Sequence, residues 1–275
     1  MNNNLFGYDH NNTWIHQLTG TSKLIFFILV SIIAMISYDY RFIILILILS
    51  IVTFRQSQIK WAQIKLVVKL ICIFALLNLV MVFVFSPNHG ASLYGTRHVL
   101  LNLGYFTITQ EQLFYEFNLG LKYLVTVPIS LIFLITTNPS EFSASLNKIG
   151  LSYRISYSLS LSLRYIPDIQ NNFKEISLAQ QARGYEMSKK GRLFSRLKGT
   201  TQILVPLILS SLDKIQTISQ AMELRRFGKN KQRTWYMNRK FGKNDYLTLL
   251  CSIIILALGI VFMKLDGSRF YNPFV

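Results

Sequence analysis

The chain alternates between long apolar runs and polar, basic stretches. Apolar runs occupy residues 24–38, 42–54, 66–85, 119–137 and 246–264. The last three have the ~20 residues a helix needs to cross a hydrocarbon core. The first two are shorter and are separated only by Asp39-Tyr40-Arg41. That spacing predicts a tight hairpin of two short helices with tyrosines at the membrane interface; one long tilted helix over 24–54 is the alternative. Residues 86–118 carry turn signals (Pro87-Asn88-His89-Gly90, Gly95 and Gly104). They form a connector with room for a short hairpin before a helical turn at 109–117.

From Asn138 the pattern changes. Asn138-Pro139-Ser140-Glu141 is a helix start, with Pro139 near the first turn and Ser140 or Asn138 as the cap, and Gly150 ends that short helix. In the stretch that follows, over 152–183, Ile155 to Leu163 alternates with period two, which would suit a strand. A lone strand has no partner here, and Ile169, Phe173 and Ile176 keep a helical rhythm, so a helix kinked at Pro167 is expected. On it Ser156/Ser160 and Ser158/Ser162 are small-xxx-small pairs that permit close helix crossing. A basic turn over 191–199 holds Arg192, Arg196 and Lys198, next to Lys189 and Lys190. A second amphipathic helix runs from about Thr201 to Arg226, with Pro206 near its start and Leu204, Leu207, Ile208, Leu212 and Ile215 at helical spacing.

Charge gives this pattern a direction. Hydrophobic residues make up 51% and charged residues 15%, with a formal net charge of +17; the mean hydropathy is a moderate +0.36. A nucleic-acid-binding protein spreads Lys and Arg over a soluble domain. Here nineteen of the 29 lie within 138–245 and four more within 55–69. Two spans separate these segments, so both lie on one side, and a Lys/Arg excess marks the cytosol. With a hairpin at 24–54, the N-terminus is cytosolic and the C-terminus external. The polar start lacks a basic n-region, so no cleaved signal peptide is expected. Cys72 and Cys251 are expected to be small packing residues, and the four histidines form no ligand pair, so no metal site is expected.

Each amphipathic helix closes on an arginine followed within two residues by an aromatic: Gln181-Ala182-Arg183-Gly184-Tyr185 and Glu223-Leu224-Arg225-Arg226-Phe227. A cation at a helix C-terminus gains ~0.3–1 kcal/mol from the dipole, and a following glycine suits the C′ position. That accounts for one such end but not for a matched pair. An arginine fork can grip a carboxylate through two parallel hydrogen bonds, fixing angle as well as distance. Arginines backed by aromatics are favoured interface anchors. Both ends are suited to docking on an acidic partner.

At these residues the chain resembles the transmembrane T component of energy-coupling factor transporters, a class of bacterial ABC importer. That family carries two Ala-Arg-Gly motifs, each ending a cytosolic coupling helix. Ala182-Arg183-Gly184 matches the first, whereas Leu224-Arg225-Arg226 keeps only the arginine of the second. Either Arg225 or Arg226 can then be the second contact, and spacing from Ala221-Met222-Glu223 favours Arg225. Thr13-Trp14-Ile15-His16-Gln17-Leu18 followed by Lys23-Leu24 resembles the family's approach to its first span, with the usual Asp-Pro-Arg replaced by Thr19-Gly20-Thr21. Thr136-Thr137-Asn138-Pro139, Arg164-Tyr165-Ile166-Pro167 and Val205-Pro206-Leu207 are similar as well.

The resemblance implies an all-α polytopic protein of the bacterial cell membrane, with about five transmembrane helices plus a cytosolic domain of amphipathic coupling helices. Residues 1–137 form a membrane part of four spans with an external loop at about 86–118. Residues 138–245 form the coupling-helix domain, and 246–275 the last span and an external tail. It implies a non-catalytic subunit without a cofactor of its own. Two cytosolic ABC ATPases, which bind the ATP, dock at Ala182, Arg183, Gly184, Leu224, Arg225 and Arg226. A small membrane S component binds a vitamin or other micronutrient, and Ser156, Ser160, Pro167 and Pro206 are the expected helix-crossing and S-component contacts.

The residues agree with an outside energy source. No Gly-x-x-x-x-Gly-Lys-Ser/Thr phosphate loop occurs. Asp39, Glu111 and Glu116 fall at span edges or outside, not as paired intramembrane carboxylates. Two alternatives are a polytopic membrane enzyme and a stand-alone secondary transporter. The first needs clustered acid–base groups, whereas Asp168, Glu175, Glu186, Asp213 and Glu223 are spread out. The second needs halves that mirror one another, and these do not.

Overall fold

The computed structural model of the protein describes residues 13–103, 106–184, 193–230, 234–236, 239–266 and 269–273. The described elements, in order, are α1 (Trp14–Gln17), α2 (Gly20–Ile36), α3 (Tyr40–Gln56), α4 (Trp61–Phe85), α5 (His89–Tyr94), β1 (Val99–Leu103), β2 (Phe106–Thr109), α6 (Gln110–Thr136), α7 (Pro139–Lys148), α8 (Tyr153–Ala182), α9 (Leu193–Leu224) and α10 (Lys243–Leu265). The chain divides into two compact units, Met1–Asn138 with Arg239–Val275, and Pro139–Asn238.

In the first unit the 24–54 stretch is a hairpin of two helices. Asp39 starts the second by accepting a hydrogen bond from the Arg41 amide at 2.9 Å. At about 1.5 Å per residue, the 17 residues of α2 and of α3 each reach only ~25 Å, short of the ~30 Å hydrocarbon core. α4, α6 and α10 are long and apolar enough to cross a membrane. α6 starts at Gln110, with Thr109 accepting from the Gln112 amide, so the turn expected at 109–117 is the first part of a span. β1 and β2 pair antiparallel as the short hairpin before it. Gly90 of α5 packs on backbone there, since a Cβ would sit 2.6 Å from Gln112 Cα.

The core of this unit joins Val30, Ile33 and Ala34 of α2 to Phe42, Ile43 and Ile46 of α3, with Leu121, Val125 and Ile129 of α6 and Ile255 of α10. Lipid is as apolar as leucine, so close packing and not transfer from water must hold these helices together. α10 meets α2 and α3 at Gly259, where a Cβ would lie 2.4 Å from Ile33 Cγ1 and 2.8 Å from the Phe42 ring. α4 differs. Leu70, Phe74 and Leu77 point outward, and so does Cys72, which is therefore not the packing residue expected.

Charged residues tie helix ends together. Arg41 pairs with Asp39 at 3.1 Å and with Asp266 at 2.9 Å, and lies over the Tyr271 ring. At the start of α2, Lys23 and Asp245 are almost wholly buried. Lys23 Nζ donates to the Thr136 carbonyl at the end of α6, at 2.8 Å, and to the His16 carbonyl at 3.5 Å. Asp245 Oδ1 accepts from the Thr19 amide at 2.8 Å, the Thr19 hydroxyl at 2.9 Å and the Ser22 hydroxyl at 2.7 Å. Its Oδ2 accepts from the Gly242 amide at 2.8 Å. A carboxylate thus satisfies orphan amides at the N-termini of α2 and α10, and an ammonium an orphan carbonyl of α6, the signs each helix dipole favours.

In the second unit α7 ends in a Schellman turn, with Leu151 N donating to Leu146 O, Gly150 N to Asn147 O, and Gly150 at φ +119°. Ile155 to Leu163 is helical, as part of an α8 that continues past Pro167. Ser156 is buried, whereas Ser158 and Ser162 are exposed and donate back to the Arg154 and Ser158 carbonyls. α9 begins at Leu193, about two turns before the expected Thr201. Gly199 marks no turn: a glycine costs a helix interior ~1 kcal/mol, which the surrounding helix formers absorb. Pro206 consequently lies well inside α9. Lys189, Lys190 and Arg192 lie outside the described residues.

Candidate functional site

α8 and α9 form an antiparallel hairpin, with a described contact near each of its ends. At one end Gln180 Nε2 donates to the Gln202 carbonyl at 3.4 Å. At the other, the Phe227 ring lies 4.6 Å from Tyr157 and 5.8 Å from Tyr153. The C-terminus of α8 therefore lies at one end of the pair and that of α9 at the other. The 30 residues of α8 put these ends ~40 Å apart.

Both ends are capped alike. Arg183 is the C-cap of α8, and Gly184 follows at φ +86°, its amide donating to Gln181 O at 2.9 Å. At the end of α9, Arg226 stands at φ +52°, its amide donating to Glu223 O at 2.8 Å, while Phe227 N donates to Met222 O at 2.9 Å. These are the two bonds of a Schellman turn. Arg225 then holds the cap position that Arg183 holds in α8, and Arg226 the left-handed position of Gly184. Ala182, Arg183, Gly184, Leu224, Arg225 and Arg226 are all exposed, Leu224 to 86%.

The neighbours differ. Arg183 lines an open groove with Gln180, Thr201, Gln202, Val205 and Pro206. The α9 end is braced by rings: Trp235 lies 5.3 Å from Tyr153 and donates through Nε1 to Asn147 Oδ1, and Arg154 donates to the Gly228 carbonyl at 3.1 Å. That brace was invisible in the sequence, because its members are up to 88 residues apart. Pro167 is exposed and Ser160 half-buried on α8. Tyr185 and Glu186 lie outside the described residues. Among the described residues no three His, Cys, Asp or Glu side chains gather to hold a metal.

A non-glycine residue in the left-handed region carries a conformational cost of ~1 kcal/mol. Arg226→Gly is therefore expected to raise the thermal stability of the purified protein by about that amount. A melting temperature unchanged or lowered would contradict the cap geometry.

Apolar helices of membrane-spanning length in a predominantly helical chain define an all-α polytopic membrane protein. A family model described as cobalt transport protein, CbiQ, matches residues 11–236. The chain belongs to that family, as a transmembrane component of an energy-coupling factor transporter. It is similar to the energy-coupling factor transporter transmembrane protein EcfT of Lactococcus lactis, at 25% identity over 97% of this chain and 100% of the relative. The EcfT of Staphylococcus aureus is 25% identical over 93% of this chain and 95% of the relative. That of Streptococcus equi is 29% identical over 92% and 93%.

Proposed function

We propose that the chain is the energy-coupling subunit of a bacterial importer, passing ATP-driven movement from two cytosolic ABC ATPases to a small substrate-binding membrane protein. Arg183 and Arg225 are the docking residues. One observation carries the reading: two equivalent arginine caps face outward at opposite ends of an antiparallel hairpin, ~40 Å apart. A single site would need one such end; a dimer of ATPases offers two. The Lys/Arg excess over 138–245 supports a cytosolic position for this segment, with the apolar helices in the cell membrane. Ile166, Ile169 and Phe173 of α8 and Ile208, Leu212 and Ile215 of α9 are exposed, which suits a hydrophobic membrane partner. Pro167 and Ser160 belong with that surface, whereas buried Ser156 serves packing within the unit.

The substrate is a vitamin or another micronutrient, chosen by the partner and not by this chain. Tagged chain purified from membranes in mild detergent is expected to bring two ATPase polypeptides and a small membrane protein with it. Recovery of the chain alone would end this reading in favour of a self-sufficient transporter or enzyme.

A further inference from the structure

The second unit is joined to the first by only two chain crossings, one at Asn138/Pro139 and one at Asn238/Arg239. Each crossing follows or precedes a membrane helix whose end is fastened to the same short segment, the first turn of α2. Lys23 holds the last carbonyl of α6, two residues before the chain leaves. Asp245 holds Thr19 and Ser22 from the first turn of α10, six residues after the chain returns. Both charges are removed from water, with 5% and 3% of their surface exposed. Local capping does not call for this. A Ser or Asn next to each helix start would satisfy the amides that Asp245 meets without burying a charge, and Lys23 reaches a carbonyl 113 residues away. What the long-range bonds add is a connection between two roots 100 residues apart in sequence.

We propose that Lys23 and Asp245 are positioning residues for energy coupling, clasping the two roots of the helix-hairpin unit to α2 so that the roots move as one. This rests on the docking function proposed above. A pull on the hairpin is carried along the chain to the membrane helices through these roots. With the clasp closed, the pull moves α2, α6 and α10 together; with it open, each root yields separately and the movement is dissipated.

The test uses the whole complex, with spin labels at Asn138→Cys and Lys240→Cys in a chain whose native cysteines are Cys72→Ser and Cys251→Ser. Inter-label distances are measured with and without ATP. The otherwise unmodified chain is expected to show one narrow distribution in both states. Lys23→Met combined with Asp245→Asn is expected to keep the ATPases bound, while the distribution broadens and, with ATP, shifts by several ångströms; Lys23→Arg restores the narrow peak. A lowered melting temperature with an unchanged distribution would show a structural role only and overturn the proposal. Loss of the ATPases from the double variant would overturn it too, making these residues part of assembly. A labelled chain without these substitutions that brings down no ATPase fails the docking function itself, a result visible before Lys23 or Asp245 is touched.

Discussion

A chain carrying Arg183→Ala and Arg225→Ala is expected to reach the membrane at normal level and to lose its ATPase subunits on purification. The side chains are exposed, so their loss opens no cavity in this chain. In a partner's groove, by contrast, each guanidinium would be desolvated against a carboxylate. Removing one member of such a pair costs ~2–5 kcal/mol, or roughly 30- to 5000-fold in affinity. Either single substitution should weaken recovery, and the double should abolish it. Arg226→Ala should leave recovery near normal, because Arg226 fills the turn position that Gly184 fills elsewhere. ATPase bands of unchanged strength in the double variant would remove Arg183 and Arg225 from the interface.

Gly259→Ala is expected to destabilise the membrane part by about 2 kcal/mol, the usual cost of forcing a methyl group into a full core. The added Cβ meets Ile33 Cγ1 at 2.4 Å and the Phe42 ring at 2.8 Å. Neither can retreat easily, since Phe42 is fully buried and Ile33 is 4% exposed. At 2–4 °C per kcal/mol, the melting temperature should fall by roughly 4–8 °C. Gly120→Ala is the matched control. Gly120 lies inside α6 with nothing within 4 Å of its Cβ position, so alanine should hold or raise stability by up to ~1 kcal/mol. Equal melting temperatures for the two variants would show that α10 does not meet α2 at Gly259.

The family was legible from short pieces, chiefly Ala182-Arg183-Gly184 in its place after an amphipathic stretch. The spans were legible because apolar runs of membrane length carry their own signal. Less was visible where local signals mislead. Gly199 reads as a turn residue but sits inside α9, because the surrounding helix formers absorb a propensity cost of ~1 kcal/mol. Cys72 looked like a packing residue because its helix is apolar on every side, and no one-dimensional pattern tells a face that meets protein from one that meets lipid.

By itself, the sequence determined where the apolar runs lie, the concentration of positive charge between the last two, and the presence of two arginine ends. Each follows from composition and period within a window of some twenty residues. Only the tertiary structure decided how those pieces are joined. It put the two ends at opposite extremes of one antiparallel hairpin and aligned Arg225, not Arg226, with Arg183 through the left-handed φ of Arg226. It also drew Asp245 to Thr19 and Ser22 across more than 220 residues. The reason is physical: a helix end bonds to whatever the fold brings within about 3 Å, and sequence separation leaves no mark of that approach.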